Sequence, residues 1–166
     1  MHMESLHDLF VNELRDLYNA ENQILKALPK LAKSCSSEEL RQALEEHLEQ
    51  TRGHVERLEQ IFDKLGLKAR GKKCEAMEGI IEEGKDLMDE DLEEAVLDAA
   101  IIESAQKVEH YEMAGYGTVR TWAERLGCHE EAELLQQTLD EEKEADDKLT
   151  QIAESAVNLQ AMGAGR

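Results

Sequence analysis

The chain has 166 residues, one proline, 4% aromatic residues and a net charge of −19. That length suits one domain with a sizeable core, residues 1–166, and a composition led by Ala, Leu, Glu, Lys and Gln favours long helices over sheets. The charge is uneven, 12 Lys and Arg against 13 Asp and Glu in residues 1–74 but 7 against 25 in residues 75–166, and so acidic a half argues against nucleic acid as a partner.

The first predicted helix spans about 5–32, where Phe10, Leu14, Leu17, Ile24, Leu28 and Leu31 recur at spacings of three and four. Pro29 inside this pattern predicts a kink or an early end. Ser36 or Ser37 is a plausible cap for a second helix over about 37–65, with a seam of Leu40, Leu44, His47, Thr51, His54, Leu58, Ile61 and Leu65 and Gly66 as its stop. Residues 66–91 form a crossover. Its first part, with the short basic run Lys68 to Lys73, reads as a loop, and Ala76 to Met88 as a short amphipathic helix interrupted by Gly79 and Gly84. A third long helix is predicted over about 92–126 and a fourth over about 130–158, before a Gly-rich tail expected to fray. Four long helices joined through one long crossover make an all-α, ferritin-like four-helix bundle the expected architecture.

Each of the four apolar stripes is broken near its middle by groups able to bind metal: Glu21, His54, the pair Glu109 and Glu112, and the pair Glu142 and Asp146. A lone carboxylate in a helical core is costly unless it is paired or metal-bound, so breaks at matched depth predict one shared site. Di-iron and di-manganese bundles take one Glu from each of two helices and a Glu-x-x-His pair from each of the other two. This chain keeps half of each pair: helix two offers Thr51-x-x-His54 and helix four Glu142-x-x-Ala145. The one literal Glu-x-x-His, Glu4 to His7, lies at the N-terminus, away from the expected bundle centre. A shift of 91 positions relates the halves weakly, pairing Glu21 with Glu112, Thr51 with Glu142 and His54 with Ala145. Oxygen-rich ligation with one imidazole suits iron, or manganese, better than structural zinc. Gln50 and Tyr111 are candidates to support the ligands, and His47 reads as a partner rather than a ligand. Taken singly, Glu109, Glu142 and Asp146 also fit solvated helix flanks, and His54 a hydrogen-bonded core histidine.

Cys35, Cys74 and Cys128 are odd in number and lack Cys-x-x-Cys spacing, which argues against a disulfide framework or a zinc ribbon and suits a reducing compartment. Met1 to Phe10 lacks the basic start and apolar run of a signal peptide, and no stretch is apolar enough to span a membrane, so a cytoplasmic location is expected.

Several runs carry a family likeness: Asp16 to Lys30, His47 to Glu59, Cys74 to Glu83, Ala105 to Gly117 and Thr138 to Lys143. Together they resemble the YciE/YciF-like branch of the ferritin-like superfamily over nearly the whole chain. The resemblance implies a ferritin-like bundle with a short extra helix, a bacterial cytoplasmic stress-associated protein and a homodimer. Carried over by position, Glu21, Glu109, Glu112 and Glu142 look like the bundle carboxylates and His54 like the surviving imidazole. Two functions are expected to compete: an iron or manganese protein, dinuclear when loaded, that consumes peroxide or oxygen, and a non-catalytic dimeric bundle whose inner polar groups fix helix register. A hollow iron-storing cage is a third, less compatible with a dimer.

Overall fold

The computed structural model describes residues 3–163, among which there is no strand. The helices are α1 (Leu6–Ser34), α2 (Glu38–Lys64), α3 (Glu75–Asp89), α4 (Glu94–Arg125) and α5 (His129–Ile152). After α5 the chain continues through one π-helical turn, Ala153–Val157, into α6, Asn158–Gly163. The helix therefore runs past the expected end near 158, to Gly163. Val157 is buried against the core shared with Leu149 and Ile152, and α6 beyond it packs on α4; residues 164–166 of the tail lie outside the described residues.

The ends of the helices follow local chemistry. Ser5 and Asp8 form a reciprocal capping box at the start of α1, and the Ser37 hydroxyl accepts from the Leu40 N–H at the start of α2. Gly66 and Gly127 hold φ of +68° and +76° just past α2 and α4. Each sits in a Schellman turn, with Leu67 N donating to Phe62 O at 2.8 Å and Cys128 N to Ala123 O at 2.9 Å. α1 does not end at Pro29 but runs on to Ser34. α3 is likewise one uninterrupted helix through Gly79 and Gly84, because Gly84 is buried against α4, where a Cβ would lie 3.0 Å from Ser104 Oγ.

α1 packs on α2, α2 on α5, α5 on α4 and α4 on α1, closing a four-membered ring, while α3 covers the outer side of α1 and α4. The apolar interior is divided. One cluster holds Ile24, Leu28, Leu44, Ile101 and Leu149, and the other Phe10, Leu14, Leu58, Phe62, Val119 and Leu135. Buried polar residues occupy all four long helices between these sets: Glu21, His47, His54, Glu109, Glu112 and Glu142.

Candidate metal centre

The bundle brings those six side chains together from four directions. Glu21 replaces an apolar residue on the α1 stripe between Leu17 and Ile24, so helical periodicity alone turns it inward. His47, Thr51, His54 and Leu58 are spaced four, three and four apart and form one inward line on α2. Glu109 and Glu112, three apart, share a face of α4, and Glu142 comes from α5 three residues after buried Leu139. Two overlapping groups of donor atoms result, each within 4.8 Å of one another: His47, Glu109, Glu112 and Glu142, and Glu21, His54 and Glu142. Glu142 belongs to both.

Each histidine is held from behind. His47 Nδ1 lies 3.3 Å from Gln50 Oε1, which leaves Nε2 facing Glu109 Oε1 at 3.0 Å and Glu142 Oε2 at 3.8 Å. His54 Nε2 lies 2.8 Å from Glu141 Oε2, and its Nδ1 faces Glu142 Oε1 at 2.9 Å and Glu21 Oε1 at 3.3 Å. Gln50 and Glu141 thereby orient the rings so that one nitrogen of each points into the cluster. On the opposite side Tyr116 Oη donates to Glu21 Oε1 at 2.5 Å.

The interior remains short of hydrogen bonds. Glu21 Oε2, His47 Nε2, His54 Nδ1, Glu109 Oε2 and both oxygens of Glu112 and of Glu142 are buried without a hydrogen-bond partner. The ring nitrogens are close enough to carboxylates for ion pairing but not aligned for hydrogen bonding. Buried polar atoms are nearly always satisfied, so a concentration of open lone pairs at one point is the donor set that a cation would satisfy.

Proton affinity follows from the same crowding. Burial, then the negative charges of Glu142, Glu21 and Glu109, raises the Glu112 pKa well above the usual carboxylate value. Burial, then Glu109 and Glu21, does the same to Glu142. Burial opposes a charge on His54, but Glu21, Glu141 and Glu112 outweigh it and raise its pKa to about 10. Burial likewise opposes charge on His47, and Glu109 and Glu21 reverse the sign so that its pKa is raised. Without metal the centre holds protons in place of cations.

Of the residues singled out from sequence, Glu21, His54, Glu109, Glu112 and Glu142 meet in the cluster. Asp146 does not: its Oδ2 lies 3.1 Å from His110 Nε2 and its Oδ1 accepts from Gln106 Nε2 at 3.2 Å. One turn along α5 from Glu142, its face has already rotated toward the bundle surface. Tyr111 also points elsewhere, donating to Asp16 Oδ2 at 2.5 Å with Cys74 Sγ at 3.1 Å. His47 is a full member of the cluster rather than an accessory. Its signal was its place two turns before His54 on the same line. Glu141 drew no attention in the sequence because it does not lie on the α5 seam.

A polar opening of about 180 Å³ between α2 and α5 reaches His47 and Glu109 from the surface, with Glu144, Ala145 and the ion pair of Glu46 and Lys148 along its lining.

The chain is similar to known proteins in sequence and fold. The sequence family described as domain of unknown function DUF892 matches residues 5–162. Protein YciF of Escherichia coli K12 is 48% identical over 162 residues, covering 97% of this chain and 98% of that protein. The crystal structure of the E. coli stress protein YciF superposes with a TM-score of 0.90 over 94% of this chain and 99% of that one. YcfI of Rhodopseudomonas palustris superposes with a TM-score of 0.87 at 46% identity, covering 89% and 94% of the two chains. A Xanthomonas campestris protein, at 19% identity and a TM-score of 0.75 over 96% and 97% of the two chains, shares the fold.

Proposed function

The chain belongs to the DUF892 family, and from that premise and the geometry of its bundle centre we propose that it is a metal-binding protein. The metal is iron or manganese, a pair when fully loaded, held by Glu21, His47, His54, Glu109, Glu112 and Glu142. The observation that carries this reading is the convergence of eight buried nitrogen and oxygen atoms without hydrogen-bond partners. Four carboxylates and two imidazoles form an oxygen-rich donor set that suits these metals and not a closed thiolate zinc site. Glu142, common to both donor groups, would be available to an ion held by either of them.

Such a metal pair supplies electron transfer toward oxygen or peroxide when bound. The chain's own residues do the rest. Gln50 and Glu141 fix the histidine rings, the apolar clusters on either side keep bulk water out, and Tyr116 holds a proton at Glu21 Oε1. The pKa of that phenol is raised well above its usual value, first by burial and then by Glu21, so it stays a donor. We extend to this chain the association with stress that the description of E. coli YciF carries, a cytoplasmic place, in keeping with the free thiols of Cys35, Cys74 and Cys128, and a homodimeric state. No helix among the described residues is long and apolar enough to cross a membrane.

Elemental analysis of gently purified protein tests the proposal. About two iron or manganese ions per chain are expected in the wild type and none in the Glu21→Ala, His54→Ala double variant; metal-free protein in both cases overturns it. A structural reading of the same residues draws on the internal pairs His54 Nδ1–Glu142 at 2.9 Å and His47 Nε2–Glu109 at 3.0 Å. In that case Fe²⁺ or Mn²⁺ leaves the wild-type melting temperature unmoved.

A further inference from the structure

A groove of about 440 Å³ runs between α1, α3 and α4, a size typical of small-molecule sites. Leu28, Ile81, Met88 and Val108 give it apolar walls. Its lining begins at the exposed side chains of Lys26, Lys30 and Lys85 and ends at buried His47 and Glu109 of the metal centre. The crossover helix is what makes it a groove, since α3 roofs the seam between α1 and α4. Lys85 pairs with Glu82 at 3.3 Å, whereas Lys26 and Lys30 have no ion-pair partner among the described residues. Lys26 and Lys30, four residues apart on α1, present two cations at the apolar mouth.

These properties do not suit the route of a metal ion. Apolar walls cannot replace a metal ion's water, and the more polar opening between α2 and α5 already reaches the same His47 and Glu109. They do suit an anionic amphiphile. A carboxylate head is drawn to Lys26 and Lys30 and repelled by Glu109, while a hydrocarbon chain gains by leaving water along Leu28, Ile81, Met88 and Val108. Head outward and chain inward is therefore the favoured orientation.

We propose that this groove binds a free long-chain monocarboxylic acid, its carboxylate at Lys26 and Lys30 and the end of its chain beside His47 and Glu109. Binding itself needs no metal; its meaning as delivery of a substrate to the centre rests on the metal reading above.

Calorimetric titration of the metal-free full chain with sodium dodecanoate, kept below its micelle concentration, tests the proposal. Saturable binding of one molecule per chain is expected, with dodecyltrimethylammonium giving none. Lys26→Glu with Lys30→Glu, both at exposed positions, is expected to weaken binding about tenfold. Lys107→Glu, on an exposed face of α4 outside the groove, leaves it unchanged. Val108→Phe, which adds volume inside the groove, abolishes binding while the helical circular dichroism stays at the wild-type level. Absent dodecanoate binding, equal affinity for the cationic amphiphile, or indifference to the two lysine reversals overturns the inference. So does a chain that ignores dodecanoate but sediments with anionic phosphatidylglycerol vesicles, or one whose groove is closed by a second copy. Dodecanoate binding in a protein that elemental analysis finds incapable of holding metal keeps the groove and removes the metal reading, so the two failures are distinguishable.

Discussion

Arg57 grips Glu141 with both ends of its guanidinium, Nη1 donating to Oε2 at 2.8 Å and Nη2 to Oε1 at 2.7 Å. Burial alone would raise the Glu141 pKa, but His54 and Arg57 overcome it and lower it to about 2. A carboxylate held this firmly in its charged form keeps a proton on His54 Nε2, so Nδ1, turned toward Glu21 and Glu142, is the nitrogen that a metal would take when it displaces the ring's second proton. The polar interior is thus aimed from outside, by a residue that itself stands at the edge of the cluster.

Replacing Glu141 by Gln removes the charge while preserving shape, so the fold is retained and the ring is less strongly held. Metal affinity is expected to fall by about 10- to 100-fold, the usual cost of losing a carboxylate behind a histidine ligand. Competition against a coloured chelator measures it. Unchanged affinity would mean that His54 is oriented by packing alone.

Glu112 is fully buried with both oxygens unpartnered, in the company of Glu21, Glu109 and Glu142. In the absence of metal it is a cost to the fold, and Glu112→Gln relieves it. Urea unfolding of metal-free protein near neutral pH is expected to show a gain of roughly 1–3 kcal/mol, because the wild type must either keep Glu112 protonated above its usual range or bury its charge, and Gln does neither. The same variant should lose metal binding and the stabilisation that metal confers. A destabilised metal-free variant would show instead that Glu112 supports the apo bundle.

The pH dependence of metal-free protein follows from directions already given. His54 has a folded pKa raised to about 10, so its contribution to stability is complete below its unfolded value near 6.5 and is lost as pH rises toward 10. Glu112 and Glu142, also raised, likewise favour the fold when protonated and lose that contribution as pH rises past the usual carboxylate range. Glu141, lowered to about 2, acts oppositely: its contribution is present above its unfolded value near 4.5 and lost as pH falls through 2. Thermal melts of metal-free protein should therefore decline between pH 6.5 and 10, whereas binding of metal, which displaces these protons, should strengthen over the same interval. A melting temperature that rises across that interval in a chelator would contradict the assignment of His54.

Period and caps made the four long helices legible, because Leu14, Leu17, Ile24 and Leu28 mark a face whatever their partners are. The same period pointed to Glu21, His54, Glu109, Glu112 and Glu142, since an ionisable group on an apolar stripe is conspicuous. Asp146 shows the limit of that logic. One turn beyond Glu142 is close enough in sequence to share its face, but the turn toward solvent depends on where α4 lies, which only the packed bundle decides. His47 was visible yet ambiguous for the converse reason, its role being set by Glu109 across the helix interface. Glu141 and the clamp of Arg57 belong to tertiary structure entirely, as does the groove under α3, which exists because the crossover helix lies on α1 and α4.

Ala145 occupies the position where a Glu142-x-x-His pair would carry its histidine, and the space left there helps to open the polar passage between α2 and α5. Glu46, Glu144 and Lys148 stand on the passage wall; Lys148 is paired with Glu46, which leaves Glu144 as the acidic group facing a divalent cation on the way to His47 and Glu109. Ala145→Leu fills part of the roughly 180 Å³ without replacing a proposed ligand. Stoichiometry at equilibrium should therefore stay at the wild-type value while the rate of loading falls. An added barrier of about 1.4 kcal/mol would slow uptake tenfold, which stopped-flow mixing of metal-free protein with Co²⁺ as a coloured stand-in would resolve. If loading is as fast as in the wild type, ions reach the centre by another path; if the bound amount drops instead, Ala145 is needed for the geometry of Glu142 rather than for passage.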